Sequence, residues 1–269
     1  MLLIAICFIL TGVLVGLLSG LFGLGGGLTV VPVMIIFLSA YEPSYSANFM
    51  HIAVATSLFV MIFTSLISTY AHHKAKNIVW KVVLPLKIGV IIGTIFGAIA
   101  ATFLSSKILK IFFIFFLIFT ILKWAYKLFT NKKTSNIIEF DEPKKILAGI
   151  YGFITGSIAV LLGIGSSVMI VPFLKHRNFS MSQAAAIASA ITPFIALFGA
   201  ITYIITGYNN VNIPSYCFGF VYLPAAVGLI LGALIGAPLG TLLSTKIPYK
   251  IQNIIYLGFL ILILFIMIS

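Results

Sequence analysis

Eight apolar segments, each long enough for at least one membrane-spanning helix, occupy almost the whole chain. A spanning helix needs roughly 20 predominantly apolar residues, each adding about 1.5 Å of rise. Charged residues make up 7% of the 269 residues, whereas a soluble domain has about 25%. The sequence therefore predicts an all-α polytopic membrane protein with no soluble domain. The segments are residues 2–38, 47–71, 79–104, 108–129, 146–174, 182–206, 215–243 and 249–268.

The excess of positive charge has a topological interpretation. The formal net charge is +12, but a basic surface that binds nucleic acid needs a water-exposed face, and these basic residues lie in loops and at helix ends. We interpret them as orientation signals under the positive-inside rule, with the lipid bilayer and not nucleic acid as the partner. The first basic residue is Lys74, so the opening segment lacks the basic region of a signal peptide. We expect it to be retained, with the N-terminus on the non-cytoplasmic side.

A charged linker divides the chain into two similar halves. Residues 130–145 hold four lysines and three of the four acidic residues of the chain. GLLSGLFGLGGGLTVVPVM before the linker aligns with GSIAVLLGIGSSVMIVPFL after it, and two further aligned pairs follow in the same order. These matches predict a duplication, with a first membrane repeat at 1–129, a cytoplasmic linker at 130–145 and a second membrane repeat at 146–269.

Loop charge predicts that the two repeats have opposite orientations. Residues 72–81 carry three lysines whereas the equivalent residues 207–215 carry no charge; residues 39–47 carry one glutamate whereas residues 175–177 carry two basic side chains. Because the basic side switches between halves, inverted repeats with both termini non-cytoplasmic are favoured. Each half must then cross the membrane an odd number of times. We predict a broken helical hairpin followed by three spans, the hairpin being either re-entrant or a pair of short spans.

The predicted breaks coincide with glycine-rich stretches that recur in both halves. Non-helical backbone at membrane depth needs protein or a water-filled cavity around it, and matching interruptions in two repeats point to a transporter site. Glycines allow backbone amides to converge on an anion beside a helix N-terminus; alternatively, they only let helices pack closely. The candidate substrate-binding residues are Gly23, Gly25, Gly26, Gly27 and Thr29 in the first half and Gly163, Gly165, Ser166 and Ser167 in the second.

These motifs resemble the TauE/SafE family of sulfite exporters, within the sulfonate uptake permease superfamily. The resemblance rests on the first glycine motif, its echo after the linker, and the LP…G…G…G segment that closes each half. It covers nearly the whole chain and implies transport of sulfite, a sulfonate or a related organic or sulfur-containing anion across a bacterial inner membrane. Ser166 and Ser167 depart from the glycine triplet, which leaves open whether the two half-sites are equivalent.

Polar residues in the span after each hairpin extend the candidate site. Their hydroxyl and amide groups either complete the shell around an oxyanion or hydrogen-bond neighbouring helices. His51 is a candidate for carrying a coupling proton, with an interfacial histidine as the alternative. Lys87 attracts anions to the pathway or extends its amine to the membrane surface. The further substrate-binding candidates are Asn48, Thr56, Ser57, Ser189 and Thr192.

A secondary transporter is the function that the sequence favours. No nucleotide-binding motif indicates ATP drive, so coupling to a proton or sodium gradient, or facilitated diffusion, stays open. An enzyme needs a nucleophile with its base, or facing metal ligands, and no such pair shares a helix face, so we expect no catalysis, cofactor or metal. The alternative is an anion channel, or a membrane assembly protein without an alternating-access cycle. The anion, its direction and the oligomeric state are left open by the sequence.

Overall fold

The computed structural model describes residues 2–22, 26–129, 143–246 and 249–268, which are almost wholly helical. Six helices in these ranges are long and apolar enough to cross a membrane, and three shorter helices are apolar. This confirms the predicted all-α polytopic membrane protein, while most of the predicted linker lies outside the described residues. The helices are α1 Leu2–Phe22, α2 Gly27–Tyr41, a 3₁₀ helix Pro43–Asn48, α3 Phe49–Lys74, α4 Trp80–Thr102, α5 Ser106–Phe129, α6 Lys145–Leu162, α7 Ser167–Lys175, α8 Met181–Gly207, α9 Leu223–Lys246 and α10 Tyr249–Ile268.

Each half contains five α-helices in the same order, and its first apolar segment is broken as predicted. The breaks separate α1 from α2 and α6 from α7. With nine residues, α7 is about 14 Å long and far shorter than the roughly 30 Å of a hydrocarbon core. After α7 the chain restarts with a capping box, in which the Gln183 N–H donates to Ser180 Oγ at 3.1 Å and the Ser180 N–H donates to Gln183 Oε1 at 3.2 Å. The serine satisfies an amide that α8 itself leaves unpaired.

The most extensive helix contacts join the two halves, α1 with α9 and α4 with α6. Both pairs rely on glycines, because without side chains the backbones approach closely. In α4 a Cβ on Gly89 would meet the Gly149 carbonyl of α6, and one on Gly93 would meet the carbonyl of Phe153. Residue numbers rise together along both helices, so α4 and α6 run parallel.

The helices α1 and α9 repeat this arrangement. A Cβ on Gly232 would meet Ile9 O, and one on Gly236 would meet Val13 O. This pair therefore also runs parallel. The first helix of each half packs against the fourth helix of the other half.

The centre of the molecule is formed by α3 and α8, which are the most buried of the candidate membrane spans. Leu58 of α3 lies at Gly199 of α8, whereas Ser68 Oγ donates to Ser189 Oγ at 3.1 Å. Numbers rise in α3 as they fall in α8, so these equivalent spans run antiparallel. Pro193 lacks an amide proton and leaves the carbonyl of Ser189 without its helical donor. Thr69 Oγ1 of α3 lies 2.8 Å from that carbonyl and 2.7 Å from Ser65 O, so its one proton is shared between the two.

The connection between α8 and α9 differs from the sequence prediction. The apolar segment expected from residue 215 does not begin as a helix; it contains an antiparallel pair of short strands, β1 Cys217–Phe218 and β2 Val221–Tyr222, and α9 starts at Leu223. The backbone turns at Gly219, whose φ is +56° and where a Cβ would meet the carbonyl of Ile204. This hairpin is apolar because it packs against α3 and α8, and hydropathy alone cannot distinguish that burial from burial in lipid.

Two contacts hold the hairpin of the second half against α3 of the first half. The Tyr222 N–H donates to Thr56 Oγ1 at 3.0 Å, and the ring of Phe220 stacks on His51 with 5.3 Å between centroids. Burial, and to a smaller extent the charge of Glu42, raises the pKa of the Cys217 thiol to about 12. That thiol therefore stays protonated at physiological pH. The hairpin packs over one end of the α3–α8 pair and presents no ionised side chain there.

Candidate functional site

The two glycine breaks, one from each half, are in direct contact. Gly26 precedes α2 with a φ of +80°, and Gly163 ends α6 with a φ of +64°; both are left-handed conformations that glycine adopts without the penalty of a Cβ. A Cβ on Gly27 would meet the carbonyl of Gly163 and would lie 3.1 Å from Ile164 Cα. We refer to this contact, Gly26–Gly27 against Gly163–Ile164, as the junction. The candidates Gly23 and Gly25 lie outside the described residues.

Ser57 of α3 connects the two breaks. Its side chain is fully buried, and Oγ lies 2.8 Å from Gly163 O and 3.2 Å from Gly27 O. A serine hydroxyl has one proton to donate, so it cannot give both carbonyls a full hydrogen bond at the same time. The shorter distance assigns that proton to Gly163 O, while Gly27 O is also an acceptor within the helical ladder of α2.

A second group of hydroxyls lies where α7 begins. Ser166 is fully buried, its Oγ donates to Ala188 O at 2.8 Å and lies 3.0 Å from Thr192 Oγ1, and its N–H donates to Thr192 Oγ1 at 3.3 Å. Thr192 Oγ1 also donates to Ala188 O at 3.0 Å. Gly165 and Ser167 flank Ser166 in the chain, and Ser167 is buried. The structure thus brings the predicted Ser166 and Thr192 together.

Helix ends give the junction its electrostatic character. The first amides of a helix have no intrahelical acceptor and carry a partial positive charge, and both α2 and α7 begin at the breaks. Thr29 is half-buried in the first turn of α2, and its N–H donates to Gly26 O at 3.1 Å. The C-terminal end of α6 contributes the opposite partial charge. Such a site can offer amides and hydroxyls to an oxyanion and carbonyl oxygens to a cation.

Three of the predicted binding residues have other partners. Thr56 accepts from the Tyr222 N–H of the hairpin, Ser189 binds the Ser68 hydroxyl, and Asn48 Nδ2 donates to Asn212 O at 2.8 Å. All three join segments of different halves, as expected for polar residues that hold helices together. Their role in substrate binding stays a prediction, and the junction is formed without them.

The two ionisable candidates also contact protein groups. His51 is buried; Nε2 lies 3.1 Å from Ala101 O and Nδ1 lies 3.4 Å from Ser106 Oγ, which assigns the proton of a neutral ring to Nε2. The Lys87 amine lies over the ring of Phe194, 5.3 Å from its centroid, two residues after Thr192. Both coupling roles stay predictions.

Two buried threonines were missed by the sequence reasoning. Thr94 of α4 and Thr155 of α6 are fully buried, and their Oγ1 atoms have no hydrogen-bond partner among the described residues. Both stand beside glycines of the α4–α6 contact, Gly93 and Gly156. The only sequence signal was a hydroxyl next to a packing glycine, which is common in membrane helices.

Comparison with known proteins extends these findings. The sequence model described as "Sulfite exporter TauE/SafE" matches residues 8–268. The chain belongs to the TauE/SafE sulfite exporter family. The matched range includes both glycine breaks, α3, α8 and the hairpin. No solved structure matches the chain.

Curated relatives of this TauE/SafE protein are named as transporters. A probable membrane transporter protein of Methanocaldococcus jannaschii is 33% identical over 83% of this chain and 79% of its own length. A probable membrane transporter protein of Haemophilus influenzae is 29% identical over 82% and 81%, and YunE of Bacillus subtilis, with the same description, is 29% identical over 76% and 80%. The chain is thus an integral membrane protein of a transporter family, and the names of these relatives specify no substrate.

Proposed function

We propose that this protein is a secondary transporter for a small anion such as sulfite, a sulfonate or a related oxyanion, which binds at the junction. The observation that carries the proposal is the contact of the two glycine breaks, at which α2 and α7 begin and which Ser57 joins. Helix N-termini favour anions, and the hydroxyls of Ser166 and Thr192 add donors that can be turned toward one. Sulfur oxyanions enter through the family to which the chain belongs.

We infer that the two halves are inverted and rock about the junction. The equivalent spans α3 and α8 run antiparallel, and the exchanged pairs α1–α9 and α4–α6 each run parallel, which is the arrangement expected of inverted repeats. In such transporters the site lies between the repeats, and movement of one against the other alternates its access. The proposal places the protein in the inner membrane with both termini outside the cytoplasm and with a proton or sodium ion as the coupling species.

Counterflow in proteoliposomes tests the transport cycle. Vesicles are preloaded with unlabelled sulfite, sulfate, thiosulfate or a sulfonate, and transient uptake of the same radiolabelled anion is followed. A carrier exchanges external label for internal anion and accumulates it, whereas a channel dissipates the gradient without counterflow. We expect counterflow for at least one of these anions. Flux without counterflow would instead support the channel alternative.

Thr192→Val tests the site itself, with Thr202→Val as the matched control. Both threonines lie in α8, but Thr192 Oγ1 contacts Ser166 whereas Thr202 Oγ1 donates only within its helix, to Phe198 O at 2.8 Å. Loss of one hydrogen bond to substrate costs about 0.5–1.5 kcal/mol, so we expect Thr192→Val to lower anion flux roughly 2- to 13-fold at subsaturating substrate. Thr202→Val should leave it unchanged. Equal flux in both folded variants would count against substrate binding at this place.

A further inference from the structure

A cavity at the end of α2 that lies away from the junction has the features of a second anion site. Its volume is about 570 Å³, within the range of roughly 300–1,000 Å³ typical of small-molecule sites. Its walls come from α2, the 3₁₀ helix, the starts of α3 and α5, and the end of α10. We propose that this cavity is a vestibule that binds an organic anion with one sulfonate or carboxylate group and a short apolar body. The inference rests on the proposed transport function, to which it adds a binding site on the path to the junction.

Two lysines supply the positive charge of the vestibule. Lys107 and Lys110 both line it, and their spacing of three residues places them on the same face of α5. Neither amine forms an ion pair or a hydrogen bond with any residue that the structure describes. Glu42 is the one acidic residue within those ranges, and it forms no ion pair with them. Because like charges at this spacing repel each other, an anion bound between the two amines lowers the electrostatic free energy.

Membrane orientation does not explain the position of these lysines. Under the proposed topology α4 ends and α5 begins on the non-cytoplasmic side. Of the sixteen lysines and arginines of the chain, Lys107 and Lys110 are the only two that this topology places there. The positive-inside rule favours basic residues on the opposite side, so both lysines oppose it, and both line the same cavity. Binding of an anion accounts for the two facts together.

The other walls of the vestibule determine the kind of anion that fits. Apolar side chains from three helices line it, among them Ile36 of α2, Phe49 of α3 and Phe265 of α10. Ser39 and Ser46 also line it and add hydroxyls that can turn toward an anion. Burial of each methylene group against an apolar wall adds to the attraction between the charges. The vestibule therefore favours an anion that carries a hydrocarbon group over a small inorganic ion.

The helices α2 and α3 connect the vestibule to the junction. Ile35 lines the vestibule and lies eight residues after Gly27, which is about 12 Å along the axis of α2. Met50 also lines it and lies seven residues before Ser57, about 10 Å along α3. A cleft with charges of one sign and walls of low dielectric raises the local concentration of counter-ions. The two lysines are thus placed to concentrate an anion at the non-cytoplasmic side of the junction.

Chemical modification of the lysines tests binding without any transport. The purified full-length protein in phosphatidylcholine nanodiscs is acetylated with the uncharged reagent N-hydroxysuccinimidyl acetate in sodium butanesulfonate, sodium methanesulfonate or NaCl at equal ionic strength. Peptide mass spectrometry follows each lysine, and the exposed Lys81 is the internal control. We expect butanesulfonate to slow acetylation of Lys107 and Lys110 at least fivefold in a saturable way, while Lys81 reacts at the same rate in all three salts. Its half-protecting concentration should be at least tenfold below that of methanesulfonate, because three more methylene groups are buried.

Three results of this experiment would overturn the proposal. The first is equal acetylation rates of Lys107 and Lys110 in the three salts. The second is an equal half-protecting concentration for the two sulfonates, because only a site with apolar contacts distinguishes them. The third is protection by phosphatidylglycerol added to the nanodiscs but none by butanesulfonate, which would assign the cavity to a lipid headgroup.

Lys107→Gln combined with Lys110→Gln tests the role of the vestibule in transport, with Lys81→Gln as the matched control. Counterflow of labelled butanesulfonate is measured in right-side-out membrane vesicles. We expect the double variant to need an at least fivefold higher external concentration for half-maximal counterflow, with a maximal rate within twofold of the unsubstituted protein, whereas Lys81→Gln should change neither. An unchanged half-maximal concentration in the double variant would overturn the vestibule and leave the transport function standing. Protection of the two lysines in a protein that moves none of the probe anions would refute the transport function and leave the binding site standing.

Discussion

Gly149 lies near the start of α6 and Gly163 at its C-terminal end, and the two backbone positions differ in whether they require glycine. Gly163 has a φ of +64°, and a Cβ there would lie 3.1 Å from Val54 Cα and 3.0 Å from Val31 Cγ2. Gly149 lies inside α6, has no positive φ, and a Cβ there would meet nothing within 4 Å. The first glycine is needed for the turn at the junction, whereas the second weakens a helix through its backbone freedom.

Alanine substitutions at these two positions should have opposite effects on stability. We expect Gly163→Ala to lower the free energy of unfolding by about 1–3 kcal/mol, because it adds a left-handed non-glycine residue in a tight space. Gly149→Ala should raise that free energy by about 0.5–1 kcal/mol through better helix propensity. Thermal unfolding in detergent, followed by tryptophan fluorescence, measures both. A stability loss of similar size for the two variants would contradict this account of the junction.

The neighbours Thr56 and Ser57 show how far the sequence predicts the site. Both were candidates because hydroxyls follow the first hairpin, and both are fully buried. One residue turns a helix by about 100°, and that rotation places Thr56 at the hairpin amide and Ser57 between the two breaks. The glycine-rich stretches that recur in both halves of the sequence predicted which two apolar segments contain a break in the helix. The choice between adjacent hydroxyls depends on contacts between halves, which the sequence of one half does not contain.

Rows of glycine at four-residue spacing allow pairs of helices to pack closely. Gly228, Gly232, Gly236 and Gly240 of α9 lie against α1, and a Cβ on each would meet atoms of Phe8, Ile9, Val13 or Leu17. The packing interpretation of membrane glycines therefore holds for these rows, while positive φ distinguishes Gly26 and Gly163 at the breaks. Both interpretations of glycine apply, to different positions of the same repeat.

A bulky residue in one of these rows should separate α1 from α9. At Gly232 a Cβ would meet Ile9 O and would lie 2.6 Å from Val13 N, both rigid backbone atoms, so we expect Gly232→Val to lower Tm by at least about 5 °C. The adjacent Leu231 is 49% exposed, and Leu231→Val should change Tm by less than about 2 °C. Elution as a single peak in size-exclusion chromatography and thermal unfolding compare the two. An unchanged Tm in Gly232→Val would show that the α1–α9 contact is looser than described.

The hairpin between α8 and α9 shows where element prediction fails. The residues CFGFVY are as apolar as a spanning helix, so the hydropathy pattern predicted that they belong to the same apolar span as α9. Phe220, Val221 and Tyr222 are instead buried against protein. The Phe220 N–H donates to Tyr203 O at 3.4 Å and the Tyr222 N–H donates to Thr56 Oγ1 at 3.0 Å. Only Pro214 and Gly219 in this stretch indicated a turn. Apolar composition reports exclusion from water and does not say whether lipid or protein excludes it.

At the scale of the whole molecule, each half completes the other. The first helix of each half packs along the fourth helix of the opposite half, and the junction takes one break from each. Neither half forms the junction alone, so under the proposed mechanism a movement of one half against the other changes access to it. That coupling between assembly and site is the reason orientation of the halves matters for mechanism.

Equivalent loops of the two repeats should therefore be reached from opposite sides of the membrane. Ala75 follows α3 and Asn209 follows α8, and both are exposed. In a background with Cys7→Ala and Cys217→Ala, we expect a membrane-impermeant maleimide to label Asn209→Cys in intact cells and Ala75→Cys only after the membrane is permeabilised. The asymmetry follows from the lysines at Lys74, Lys76 and Lys81, which favour the cytoplasm. Labelling of both cysteines from the same side would mean that the two repeats are parallel. Parallel repeats cannot present the two breaks to the junction in opposite orientations. Rocking of inverted halves would then no longer explain how the site is exposed to each side of the membrane in turn.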